Sequence, residues 1–363
     1  MPGPPPLPAW TRDADRVLVA AMREVRLLAA ATPVRGTARA EIVAAFEAGR
    51  PRLPAWTYAR HEPARALALA TVLESLAEAL EGREETALGH VYAARARELA
   101  LESTLASEVG TERFGTRARL RFPADDVAGH ASNLARAWAS DAEPAPTPET
   151  TTDAEEPGSM VVRMREEIGR HKVAFRVSVA DGLAPLAATG DHTVWVTAGR
   201  RVARVDVERT VVHEIEGHVL PRARASAMPL GIFAIGTARG TDDQEGLALL
   251  FEERSGFLRG ARRRELALRH RAVEAMDAGG TFVDVVKTLI ERDGAAIRVA
   301  VAAAERAFRG SDGIRPGLGR ERVYLSAYTR VREHVRSKPD DEKVMTSGQV
   351  ALDAIASLRH FVA

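Results

Sequence analysis

The chain has no cysteine. That excludes a disulfide framework and any thiolate metal site, so a metal would have to be held by imidazole and carboxylate groups. Tyrosine is scarce, at 4 of 363 residues. No apolar run approaches the roughly 20 residues that span a bilayer, the stretch from Met228 to Ala238 falling well short. The opening MPGPPPLPAW has neither the basic start nor the apolar core of a secretory signal. A charge excess is also missing, because 51 Lys and Arg against 50 Asp and Glu leave a net +1. The basic residues are dispersed, and Arg262-Arg263-Arg264 reads as a solvated helix face rather than a nucleic-acid footprint. These absences lead us to expect a cytoplasmic protein with neither nucleic acid nor membrane as a partner. What is present is a 45% hydrophobic composition, enough to bury a large core and to divide into two units.

Apolar spacing predicts helices over 12–31, 38–48, 64–81, 86–109 and 127–140, with glycine or proline near several of their ends. Residues 141–157, DAEPAPTPETTTDAEEP, have almost no apolar content and predict a flexible linker. The period then shortens to two. Val173, Phe175, Val177 and Val179 alternate with smaller or polar residues, as do the residues of 193–197, with Gly190-Asp191 between them as a turn. Helical spacing resumes over 241–253, 262–278, 281–292, 295–308 and 348–361. The expected fold class is α+β: a mainly helical N-terminal half (1–140), a linker (141–157), and a domain over 158–363. In that domain a small β-sheet packs on a zincin-like metal helix, followed by further helices.

That metal helix is predicted from His213-Glu214-Ile215-Glu216-Gly217-His218. Histidines four residues apart stand about 40° apart on a helix face, but five residues splay them by about 140°, too far to share one ion at about 2.0–2.1 Å. The helix must therefore deform. A π-bulge absorbs one extra residue, and Gly217 supplies backbone freedom for it. Taken alone, both histidines could be ordinary helix residues, with Glu214 and Glu216 as surface charge. Context argues otherwise, since Val207, Val211, Val212 and Ile215 recur at helical spacing and a third acidic candidate follows in Gln244-Glu245-Gly246-Leu247-Ala248. Two histidines and a glutamate with water in the fourth position form a catalytic zinc set. Glu252 and Glu253 compete with Glu245 for the third place, while Glu216, Asp242 and Asp243 are candidates to steady the ligands. Glu214, beside His213, is placed to accept the proton of an activated water.

His-Glu-Ile-Glu-Gly-His followed by Gln-Glu-Gly-Leu-Ala resembles the bacterial "flavohaemoglobin expression-modulating QEGLA-motif" proteins, which share a domain with the eukaryotic microtubule-associated tyrosine carboxypeptidases. Supporting segments are Arg113-Phe114-Gly115, 177–184, Phe308-Arg309-Gly310 and Val323-Tyr324-Leu325. The resemblance implies a zinc peptidase in which His213, His218 and Glu245 hold Zn2+ and Glu214 is the general base. The pattern also departs from the family. An arginine and an Asn-Gly pair tend to follow the second histidine there, whereas this chain has Pro221-Arg222-Ala223-Arg224; Ser326-Ala327 stands where the family usually has a basic residue and glycine.

The expected activity is a zinc carboxypeptidase acting on peptide or protein C-termini, terminal aromatic residues among them. Arg309 could form a bidentate clamp on a substrate carboxylate. Tyr324 is a further substrate-binding candidate, and Tyr328 lies four residues on, so on a helix the two share a face. Two other readings stay open. One is an exopeptidase resembling dipeptidyl peptidase of the third type, whose motif has the same five-residue spacing but whose acidic helix lies farther downstream. The other is a zincin-like domain kept for regulation, against which the intact Glu214 counts.

Overall fold

In the computed structural model, residues 7–59, 62–82, 86–124, 126, 128–141 and 146–362 are described. Residues 142–145 of the expected linker and Val127, the start of one expected helix, lie outside them. The chain forms two compact units, and neither is a continuous stretch of sequence. Unit 1 comprises 1–11, 142–262 and 327–363; unit 2 comprises 12–141 and 263–326. The fold is α+β and mainly helical, with two small sheets.

Unit 2 is built on helices whose small apolar residues recur every three or four positions. Pro63 opens Pro63–Glu81 at a position where its missing N–H costs nothing, and Ala70, Leu73, Ala77 and Leu80 line its buried side. The following helix, Thr86–Ser107, packs along it as an antiparallel hairpin. Close approach is enforced at Gly89, where a β-carbon would stand 2.8 Å from the Leu80 carbonyl oxygen. A second layer joins distant parts of the sequence: Ile42 and Val43 share a core with Leu268, Phe282, Val286, Leu289, Val301 and Phe308. That core explains why residues 263–326 belong with the N-terminal helices rather than with the segment just before them. Helix Phe282–Asp293 is started by a reciprocal cap, Asp284 N–H donating to Thr281 Oγ1 at 3.3 Å and Thr281 N–H to Asp284 Oδ2 at 3.0 Å.

Unit 1 holds both sheets. Strand β1 (Thr150–Thr151) pairs antiparallel with β5 (Arg201–Val202). Strands β2 (Arg176–Ala180), β3 (Ala187–Thr189) and β4 (Thr193–Thr197) form a sheet in the order β2-β4-β3, with β2 parallel and β3 antiparallel to β4. The segment read as a linker thus contains a paired strand. Beyond it Thr152 is buried, and Asp153 accepts a hydrogen bond from the Gly199 amide at 2.8 Å. Helix Met160–His171, capped by Ser159, covers the sheet with Met160, Met164 and Ile168. These meet Val194, Val196, Val207, Val211 and Ile215, so one apolar layer fixes the metal helix, Arg204–Glu214, against the sheet. No helix among the described residues is long and apolar enough to cross a membrane.

Phe282 is completely buried and meets Trp56 and Phe308 edge to face, at ring separations of 5.6 and 6.0 Å. Phe282→Ala is expected to cost about 3–5 kcal/mol, read from chemical denaturation. A cost below about 1 kcal/mol would show that the two distant segments do not share this core.

Candidate metal centre

The metal helix runs regularly to Glu214, and Ile215–Val219 then forms a π-helical segment before Leu220–Ala225 continues the rod. The wider turn takes up the extra residue of the five-residue spacing and brings His218 round beside His213, the two rings standing 5.2 Å apart at 65°. Gly217 lies inside this segment, but its φ is not in the left-handed region. Its role is size. A β-carbon there would stand 2.4 Å from the Ala248 β-carbon and 3.1 Å from its Cα. The glycine therefore lets the second metal helix, Gly240–Arg254, press against the π segment.

That second helix delivers Glu245. Its Oε2 lies 3.4 Å from His213 Nε2 and 3.9 Å from His218 Nε2. Two ligands of a tetrahedral zinc at about 2.0–2.1 Å stand about 3.3 Å apart; the His213–Glu245 pair has that spacing, and the His218–Glu245 pair is wider. Among the described residues, this is the one group of three such side chains able to hold a metal, with donor atoms all within 4.8 Å.

The far nitrogens of both rings are also held. His213 Nδ1 lies 2.8 Å from Glu252 Oε1, and His218 Nδ1 lies 3.2 Å from Gln244 Oε1. Both acceptors place the ring proton on Nδ1, leaving Nε2 free as a metal donor. Glu252 is wholly buried and is gripped by Arg262, with Nε to Oε2 and Nη2 to Oε1 both at 2.9 Å. Burial alone would raise its carboxyl, but Arg262 and His213 hold it far below the usual carboxylate range. Burial likewise opposes charge on His213, yet its bonds to Glu245 and Glu252 win and push it up to about 9, whereas burial pulls His218 below the ordinary imidazole value. The His213 ring thus lies between two carboxylates, Glu252 at Nδ1 and Glu245 at Nε2.

Glu214 is buried next to His213, and its Oε2 accepts a hydrogen bond from Thr189 Oγ1 at 2.8 Å. Thr189 ends β3, an edge strand that the alternating pattern did not predict. Of the other acidic candidates, Glu253 lies near Arg332, at 3.8 Å, and Asp243 is paired with Arg330 and accepts the Leu352 amide at 2.9 Å. Sequence reasoning treated Glu252 as a rival ligand; its place seven residues, or two turns, past Glu245 on the same face was the available signal. It missed Gln244, Thr189 and Arg222. Arg222 follows His218 by one turn, and its Nε and Nη1 are buried with no hydrogen-bond partner.

Arg309 and Tyr324 fall in unit 2, where they share one charged cluster. Glu321 lies at its centre, 3.5 Å from Arg306 and 3.6 Å from Arg269. Burial favours the neutral acid there, but Arg306, Arg269, Arg309 and Arg320 together keep the Glu321 carboxyl below its usual value. Arg320 reaches the Tyr324 hydroxyl at 3.4 Å. Tyr328 is buried in unit 1, takes a hydrogen bond from Arg332 at 3.3 Å, and has its hydroxyl pushed up to about 12, chiefly by burial.

A metal-donor triad with a buried carboxylate beside it, carried on a helix pair next to a small sheet, is an arrangement of peptidase type. The family model described as "Microtubule-associated tyrosine carboxypeptidase" matches residues 45–363, and the chain belongs to that family. No curated protein matches the chain.

Gly217→Ala is expected to cost about 1–3 kcal/mol by overpacking, and Ala248→Gly in the same chain should recover most of it, read as a double-mutant cycle in denaturation. Two costs that simply add would show that the helices do not meet at this pair.

Proposed function

We propose that this protein is a zinc-dependent carboxypeptidase that removes C-terminal residues, terminal aromatics among them, from peptides or proteins. The observation that carries the reading is the 3.4 Å approach of His213 Nε2 to Glu245 Oε2, with His218 at 3.9 Å and both Nδ1 atoms already held from behind. His213, His218 and Glu245 would hold the ion. When bound, zinc supplies a Lewis acid for the scissile carbonyl and lowers the pKa of water towards 7.

The chain's own groups do the rest. Glu214 has one carboxylate oxygen tied to Thr189, which fixes the plane of the group and leaves the other oxygen to accept the proton of the attacking water and pass it to the leaving amine. Glu252 and Gln244 keep both rings in the tautomer that presents Nε2. Among the described residues β3 is an edge strand and its Thr189 touches Glu214, so an extended substrate that adds to this edge as a further strand would lie near the base. Arg309, as a carboxylate clamp, and Tyr324 are the substrate contacts read from the sequence. The tyrosine in the family's description supports a terminal aromatic residue as the first side chain to test.

Metal analysis and peptide hydrolysis test the reading together. The wild type is expected to hold one zinc per chain and to release single residues from free C-termini. Glu214→Gln should keep the zinc and lose hydrolysis by at least about a hundredfold, whereas His213→Ala and Glu245→Ala should lose the zinc itself. Full metal occupancy in Glu245→Ala would remove Glu245 from the donor set. The clamp read from the sequence is tested by Arg309→Ala, where an unchanged rate on peptides with free C-termini would remove Arg309 from the site.

A further inference from the structure

A carboxypeptidase needs a cation that recognises the free α-carboxylate, and Arg222, in the same unit as the donor triad, offers one. It lies four residues beyond His218, on the helical continuation Leu220–Ala225, so it projects one turn further along the side that carries the second metal histidine. Pro221 starts that continuation. The carboxylates whose charges act on Arg222 are Asp191, Glu214 and Glu245: an exposed residue of the β3–β4 turn, the proposed base and a proposed metal donor. The guanidinium therefore lies within electrostatic reach of the candidate metal centre.

Its hydrogen bonds, however, are unmade. Nε and Nη1 are shielded from solvent and neither finds an acceptor. Leaving charged donors buried and unpaired is among the costlier arrangements a fold can keep. The neighbouring arginines of unit 1 show the alternative, Arg262 being spent on Glu252 and Arg330 on Asp243. Charge accounting gives the same answer. Glu252 is matched by Arg262, and a divalent ion bound at the triad would be matched by Glu214 and Glu245, which leaves the exposed and solvent-screened Asp191 as the remaining carboxylate acting on Arg222. Nη1 and Nη2 of one guanidinium form a planar fork that a carboxylate accepts with both oxygens.

We propose that Arg222 binds the free C-terminal carboxylate of the substrate and so makes the site an exopeptidase. This rests on the zinc carboxypeptidase reading and names the group that selects its substrates. It transfers to Arg222 the clamp that the sequence suggested for Arg309, which lies among three other arginines and Glu321.

The test measures binding as well as turnover. In the Glu214→Gln protein loaded with zinc, the affinities of one peptide in its free-acid and C-terminally amidated forms are compared, then measured again with Arg222→Met and Arg222→Lys added. The free acid is expected to bind about 10- to 100-fold more tightly than the amide. Arg222→Met should bring that ratio close to one, and Arg222→Lys should keep part of it. Because the buried donors have no partner to lose, Arg222→Met should unfold no earlier than its parent. An acid preference that survives Arg222→Met, or is absent from the parent, overturns the proposal. So does a loss of turnover that falls equally on kcat for acid and amide, which would mark an oxyanion contact instead. Failure of the underlying reading is visible separately, as absence of zinc or of wild-type hydrolysis of any peptide.

Discussion

The two metal helices can run as close as they do because Gly217 has no side chain where Ala248 sits. The contact lies at the centre of the chemistry on both helices. On the first, Gly217 stands between His213 and His218; on the second, Ala248 stands between Glu245, three residues before it, and Glu252, four after. Helical geometry puts Glu245, Ala248 and Glu252 on one face. The same contact therefore sets the reach of Glu245 to the ring nitrogens and of Glu252 to His213 from behind. A methyl group at Gly217 would lever both carboxylates away together, which ties metal geometry and fold stability to one pair of small residues.

Around that contact, the two histidines are given unlike surroundings. His213 is backed by a carboxylate that is itself held by a guanidinium, and His218 by a neutral amide. A carboxylate partner makes an imidazole the stronger donor, and an amide only orients it. Glu252 can remain ionised while wholly buried because Arg262 grips both its oxygens; breaking such a buried pair from one side typically costs about 3–5 kcal/mol. The ordering of the site is thus carried by charges that never touch a substrate.

The candidate metal cluster was more legible in the sequence than the layout. His213, Glu214, His218 and Glu245 announce themselves by residue type and spacing, and the demand that five-residue spacing deform the helix is geometry, met by the π segment at Ile215–Val219. Strand β4 matches its alternating pattern residue for residue. Strand β3 does not, because Ala187-Ala188-Thr189 has little strand propensity and is extended by pairing with β4. Strand β1 lies in a proline-rich, acidic stretch and is ordered by a partner some fifty residues away, which local composition cannot encode. Periodicity located the helices beyond residue 262 but not the layer that they join; that was decided by Phe282, Leu289 and Phe308 fitting Ile42 and Val43. At the C-terminus, the pattern over 348–361 suggested one helix, and the chain makes only short turns, Leu352–Ala354, Ile355–Leu358 and Arg359–Phe361.

An arginine beside the metal centre behaves differently before and after a cation is bound. Glu214 and Glu245 act on Arg222 together with Asp191. A divalent ion saturates the first two. The attraction on the guanidinium would then be offset by repulsion from the ion, and a substrate carboxylate lying between them would relieve both effects at once. On the proposed assignment, metal and substrate therefore bind with positive coupling, each reducing the electrostatic cost of the other, without any movement of the helices being required. The fold's contribution is to hold Arg222 one turn from His218, on the same rod.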